Sequence, residues 1–295
     1  MKKTYLKYLF SLLLFGSNGI VASHILLTSY EIVFLRTLIG SLLLFIIFTL
    51  SQGTFTFWQH KRQFFFLTIS GIATGASWIF LYEAYSQIGV SIASLAYYCG
   101  PVIVMILSPL VFQEKLTLPK ILGFISVLCG IFLVNGQTVQ SENTSWGLFC
   151  GGMSAIMYAF MVIFNKKASS IKGMENSMLQ LVISFLTVAI FVGIKQGYTL
   201  QISSNNWIPI LVLGLLNTGI GCYFYFSSIG SLPVQTVAIC GYLEPLSAVI
   251  LSVVFLQEAM SPIQMIGAFL ILGGAIFGEA IKLQPTHTYP KKRMV

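Results

Sequence analysis

The chain has 295 residues, 56% hydrophobic and 8% charged, with sixteen Lys and Arg against eight acidic residues and a formal net charge of +8. A soluble domain carries about 25% charged residues, so an ordinary globular core is excluded. The basic residues fall in short clusters between apolar runs, without the aromatic and basic patch of a nucleic-acid groove, which argues against nucleic acid as a partner.

A membrane-spanning helix needs roughly 20 mostly apolar residues. Taken in chain order, apolar runs predict spans at 5–28, 30–50, 62–88, 91–112 and 118–136, then at 146–166, 175–194, 206–228, 233–256 and 262–281. The first run follows Lys2 and Lys3 as a signal peptide would, yet it continues to Leu27 with no cleavage site, so it reads as a retained helix. Its polar residues are Asn18, expected to line a cavity, and His24, expected at the outer interface. In the second span stands Arg36, which calls for a partner such as Glu31, Glu83, Glu244 or the carboxylate of a substrate. In the third, Gly71, Gly75, Trp78, Tyr82 and Tyr85 recur at helical spacing on one face, which reads either as packing or as a cavity wall carrying Trp78 and Tyr82.

The fourth span places Tyr98 and Pro101 on one face with Ser94, Met105 and Ser108, and the ninth places Tyr242 and Pro245 in the same register. Each proline removes an amide hydrogen, so each is expected to kink its helix, as a fixed bend or as a flexing point for a gate. Tyr98 and Tyr242 flank these kinks as candidate substrate contacts. Glu244 lies near mid-depth, where a charged carboxylate is costly. It can bind an amino group, carry a coupling proton, or bond to backbone opened by Pro245. The five cysteines fall in apolar stretches with no CxxC pair and read as small buried hydrophobes.

Orientation follows from the basic residues. With the N-terminus cytoplasmic, Lys2, Lys3, Lys7, Lys61, Arg62, Lys115, Lys120, Lys166, Lys167, Lys172, Lys282, Lys291, Lys292 and Arg293 all fall inside. Only Lys195 falls outside. This asymmetry predicts a multi-pass cell-membrane protein with both termini cytoplasmic.

The halves repeat. Gly100-Pro101, Gln113-Glu114, Gly123 and Gly130 reappear 144 residues later as Glu244-Pro245, Gln257-Glu258, Gly267 and Gly274. The same offset pairs Tyr98 with Tyr242, Thr74-Gly75 with Thr218-Gly219, and Glu31 with Glu175. Five spans per half is an odd number, so the second half must enter from the opposite side. The expected fold is therefore all-α and integral to the membrane: ten transmembrane helices as two inverted five-helix repeats, 1–140 and 141–295, with a basic cytoplasmic tail. Inverted repeats are typical of secondary transporters that hold substrate between the halves. Glu114 and Glu258, at matching helix ends, are expected to cap helices or tie the halves together.

Two halves each ending in a Pro, then Gln-Glu, then a Gly-rich helix, together with the early Phe15 to Gly19 and Arg36, resemble the EamA family of the drug/metabolite transporter superfamily. Phe15 stands where many members have Trp. The resemblance implies a carrier working by alternating access on amino acids, other metabolites or drugs. No HExxH, GxSxG, Walker-type loop or Asp occurs, so neither an enzyme nor a nucleotide-driven pump is expected. The expectation is a secondary transporter, with export as its direction, for small organic metabolites such as amino acids. It would need no cofactor or metal, and a proton is the candidate coupling ion. The surrounding partner is membrane lipid, and the protein is expected to be a monomer or homodimer. The alternative is a channel or lipid scramblase without coupled transport.

Overall fold

The structure, a computed structural model, describes residues 2–135, 145–198, 206–256 and 261–280. Among these the chain is all-helical, with no strand. The helices are α1 (Lys2–Gly16), α2 (Asn18–Ser23), α3 (Ser29–Leu50), α4 (Lys61–Tyr97), α5 (Cys99–Phe112), α6 (Leu118–Asn135), α7 (Ser145–Lys167), α8 (Gly173–Lys195) and α9 (Trp207–Leu211). A π-helical segment, Val212–Ile220, then leads into α10 (Gly221–Ile229), α11 (Val234–Gly241), α12 (Leu243–Leu256) and α13 (Pro262–Ala280). Six stretches among the described residues are long and apolar enough to cross a membrane: Lys2–Ala22, Ser29–Leu50, Lys61–Ile88, Ser145–Lys167, Gly173–Lys195 and Trp207–Ile229. Shorter apolar helices accompany them. This is a multi-pass membrane protein.

Local chemistry explains the starts and breaks. Thr28 caps α3 by a capping box. The Glu31 amide donates to Thr28 Oγ1, and the Thr28 amide donates to the Glu31 carboxylate at 2.8 Å. The first predicted span is interrupted at Ser17, within the Gly16-Ser17-Asn18-Gly19 run. Beside the break the Leu14 carbonyl accepts from the Ser17 amide at 3.1 Å, the Ser17 hydroxyl at 2.7 Å and the Asn217 amide at 3.0 Å.

The two prolines act differently from the continuous kinked helices expected above. The chain breaks at Tyr98 and again at Tyr242, with nearly identical backbone angles (φ −69°, ψ −3° and φ −72°, ψ −4°). Pro101 and Pro245 then fall at the third position of α5 and α12. In a first turn the missing N–H would have had no intrahelical partner, so the ring is accommodated without losing a bond.

The expected division at Gly89 has a subtler form. Helical backbone runs through α4 from Lys61 to Tyr97. A straight helix would separate Ala84 from Ala96 by about 18 Å. Yet a Cβ built on Gly151 of α7 would lie 4.0 Å from the Ala84 Cβ and 2.6 Å from that of Ala96. The segment therefore folds back between these residues. Ser94 Oγ reaches the Tyr85 hydroxyl at 3.5 Å for the same reason.

Packing is close and partly polar. Ser77 and Ser154 exchange hydroxyl-to-carbonyl bonds between α4 and α7 at 2.9 and 2.8 Å. Along α6 and α13, Gly123 lies against Gly274 and Gly130 against Gly267, so these helices run antiparallel. Between the two contacts Ser126 Oγ donates to the Leu270 carbonyl at 3.0 Å.

Candidate functional site

The break at Ser17, the break at Tyr98 and the fold-back of α4 leave a chamber of about 400 Å³ among α1 to α4, Tyr98 and α12. That falls in the size range of small-molecule sites. Phe15, Asn18, Arg36, Trp78, Tyr97 and Glu244 line it, and the same six line a deeper recess that continues past Thr74, Met161 and Tyr225. The mouth carries Ser29 and Ser86. It therefore opens at the helix ends opposite Lys61, Arg62, Lys166 and Lys167.

Arg36 is held by neutral groups alone among the described residues. Its Nε donates to Thr218 Oγ1 at 2.9 Å, its Nη1 donates to the Tyr82 hydroxyl at 3.0 Å, and its guanidinium carbon lies 4.9 Å from the Trp78 ring centroid. Glu31 is engaged in its capping box, and Glu83 accepts from Tyr30, Trp146 and Gln87. Of the three carboxylates proposed as partners from sequence, Glu31 and Glu83 are thus used elsewhere, while Glu244 lines the chamber with Arg36. Thr218 is presented by the π-helical segment, where its hydroxyl also donates to the Leu213 carbonyl at 2.8 Å, five residues back.

Glu244 enters the chamber from the first turn of α12, where a helix N-terminus favours a carboxylate. Among the described residues no hydrogen bond reaches its carboxylate, so the bond to backbone beside Pro245, one of the three roles open to it from sequence, is not found there. A guanidinium and a carboxylate therefore face one aromatic-walled space without being paired. Asn18 accepts from the Asn217 amide at 3.0 Å and lines the same space.

Of the residues singled out from sequence, Asn18, Arg36, Trp78, Tyr82, Tyr98 and Glu244 meet around the chamber. Tyr242 does not. It is fully buried, packs on Phe124, and donates its hydroxyl to the Tyr98 carbonyl at 2.8 Å. Glu114 accepts from the amides of Val234 and Gln235 at 2.8 and 3.2 Å, capping α11 in the other half. Glu258 lies outside the described residues.

Sequence reading passed over Gln180, although the 144-residue offset applied to Arg36 leads to it. Gln180 Nε2 donates to Thr74 Oγ1 at 2.7 Å. Thr74 is the offset mate of Thr218, so the pair Gln180 with Thr74 repeats the pair Arg36 with Thr218. Tyr97 and Tyr158, which complete the aromatic wall with Phe15, were also passed over because aromatic residues are common throughout the chain. Among the described residues no three His, Cys or Glu side chains gather as a metal's ligand set would need.

The sequence profile of the EamA-like transporter family matches this chain twice, over residues 2–136 and 145–277. An uncharacterized transporter of Bacillus subtilis (strain 168), YxxF, is 27% identical over 272 residues, covering 91% of this chain and 87% of that protein. A second from the same organism, YvbV, is 24% identical over 92% of this chain and 89% of its own length. An uncharacterized transporter of Archaeoglobus fulgidus is 26% identical over 71% of this chain and 73% of its own. A solved crystal structure superposes with a TM-score of 0.80 at 17% identity, covering 94% of this chain and 98% of that one, which shows a shared fold.

Proposed function

The chain belongs to the EamA-like transporter family, and from that premise we propose that it is a ten-span secondary carrier that moves a small zwitterion across the cell membrane by alternating access between two inverted halves. The observation that carries the substrate class is the chamber itself. Arg36 offers a donor fork to a carboxylate, Glu244 offers an acceptor to an ammonium group, and aromatic rings fill the wall between them. An apolar or aromatic amino acid has all three features.

The inverted arrangement is supported by contacts that obey the offset. Gly123 with Gly274 and Gly130 with Gly267 exchange partners on antiparallel helices, and Arg36 with Thr218 is matched by Gln180 with Thr74. The two family matches, one per half, support the same reading. The chamber opens away from the basic clusters, which the positive-inside rule assigns to the cytoplasm together with both termini. Export, with a proton taken up by Glu244 as the coupling ion, fits this arrangement. The chain acts as carrier rather than enzyme, as a monomer or homodimer.

Purified protein in liposomes tests the reading. Uptake of labelled hydrophobic amino acids should saturate and should be competed by like substrates. Flux that rises linearly with concentration would favour a channel or scramblase instead. Glu244→Gln should abolish accumulation driven by a pH gradient while leaving exchange, and unchanged accumulation would refute the coupling role.

A further inference from the structure

A second cavity, of about 260 Å³, lies at the basic end of the molecule, lined by Asn165, Lys172, Gly173, Asn176, Phe226 and Gly230 among others. Four of these are the 144-residue mates of residues at or near the chamber mouth: Gly173 of Ser29, Asn176 of Ile32, Phe226 of Tyr82 and Gly230 of Ser86. The second cavity thus occupies, in the second half, the place the mouth occupies in the first.

Between the two spaces stands a chain of buried amides. Asn165 Nδ2 donates to Asn176 Oδ1 at 3.0 Å and to Gln180 Oε1 at 3.2 Å, and Gln180 Nε2 donates to Thr74 Oγ1 at 2.7 Å. Thr74 borders the chamber recess, Asn165 and Asn176 border the second cavity, and Phe226 borders both. Asn165, Asn176 and Gln180 are at most 3% exposed.

We propose that this amide cluster, with Phe226 beside it, is the closed barrier on the basic side, and that its opening joins the second cavity to the chamber as the exit route of the transport cycle. The proposal rests on the carrier reading above. Amides suit the task because they trade partners with water or with a polar solute without burying a charge, so a polar path can open where an aliphatic plug would leave none. The closed arrangement is also incomplete. Asn165 Oδ1 is buried and has no hydrogen-bond partner. An unmet acceptor is costly in a buried site, and opening to water would satisfy it. The cluster therefore has a competing open state built into its chemistry.

A thiol reporter measures the barrier directly, without reference to flux. Tyr97→Cys places a thiol in the chamber, and a membrane-impermeant methanethiosulfonate is applied from either face of oriented vesicles. Mass spectrometry then reads modification at residue 97. With the cluster intact, modification should proceed from the mouth side and be slow from the basic side. Adding Asn165→Ala should raise the basic-side rate about tenfold and leave the mouth-side rate unchanged, which also reports correct folding. Asn176→Ala should do the same and replaces the first variant if that one fails to fold. Basic-side rates that stay at the intact value while mouth-side modification proceeds would overturn the barrier assignment. Saturable transport by the protein with Tyr97 intact, in vesicles of the same composition, would leave the carrier reading standing, so the two ideas fail separately.

Discussion

Arg36 and Gln180 stand 144 residues apart, each donating to a threonine of the same offset, and their surroundings differ. Both project from a helix that crosses a threonine-bearing segment, and each donates to its threonine, Thr218 or Thr74. Around Arg36 the neighbours are the Trp78 ring and the Tyr82 hydroxyl, and the space beyond is the chamber. Around Gln180 the neighbours are Asn165 and, through it, Asn176, and Gln180 itself lines neither the chamber nor the second cavity. The bond to a threonine is common to both, although Thr218 sits on the π-helical segment and Thr74 on the α-helical α4, and the two side chains differ in charge. A guanidinium in a membrane interior is costly unless it faces a cavity or a counter-charge, and this one faces a cavity. A neutral amide can be packed shut if its hydrogen bonds are met. On the proposals made above, one mate is a binding group and the other part of a seal.

The largest effect should come from erasing that difference. Arg36→Gln gives the first half the side chain of its mate. If the guanidinium holds a substrate carboxylate, uptake efficiency of a zwitterion should fall about 100-fold, in line with removing one partner of a desolvated charge pair. Arg36→Lys should recover only part of the loss, because an ammonium lacks the fork that reaches both Thr218 and Tyr82. Uptake kinetics of both variants, with thermal melting as a control for folding, decide the matter. Wild-type uptake in Arg36→Gln would make the two positions equivalent and remove the basis of the contrast.

How far these roles were legible in the sequence follows the energetics of each residue. Arg36 and Glu244 stand out because a charge in an apolar run is expensive and therefore rare. Asn18, Trp78, Tyr82 and Tyr98 were traceable by helical spacing or by polarity within a span. Gln180 was not, since an uncharged amide in a helix carries little penalty of its own and its importance lies in what it touches. Tyr242 shows the opposite failure. The offset equates it with Tyr98, but its environment is set by Phe124 and by the Tyr98 carbonyl, which only tertiary packing supplies. The breaks at Tyr98 and Tyr242 were foreseen as bends because a proline signals disruption without saying whether the helix curves or restarts.

Mates that share one job should respond alike. Gly123 meets Gly274 where Gly130 meets Gly267, and an added Cβ would come within 2.5 and 2.6 Å of the facing carbonyl oxygens. Gly123→Leu and Gly130→Leu must each push α6 from α13, at about 1–3 kcal/mol of overpacking. Thermal midpoints in detergent should drop by similar amounts for the two. A large drop for one and none for the other would show that the two contacts are not equivalent.

The smallest effect is the one that separates the two tyrosines. Tyr242→Phe removes only the hydroxyl that bonds the Tyr98 carbonyl. The ring stays packed on Phe124, so stability should fall by about 1 kcal/mol, the ordinary worth of one internal hydrogen bond, and the KM for substrate should not move. Tyr98→Ala, by contrast, strips a ring from the chamber wall and should raise KM while leaving the Tyr98 carbonyl free to accept from Tyr242. Uptake measured for both variants over a range of substrate concentrations tests this. A raised KM for Tyr242→Phe would mean that the break at residue 242 transmits to the chamber. The distinction between a lining tyrosine and a bracing one would then no longer hold.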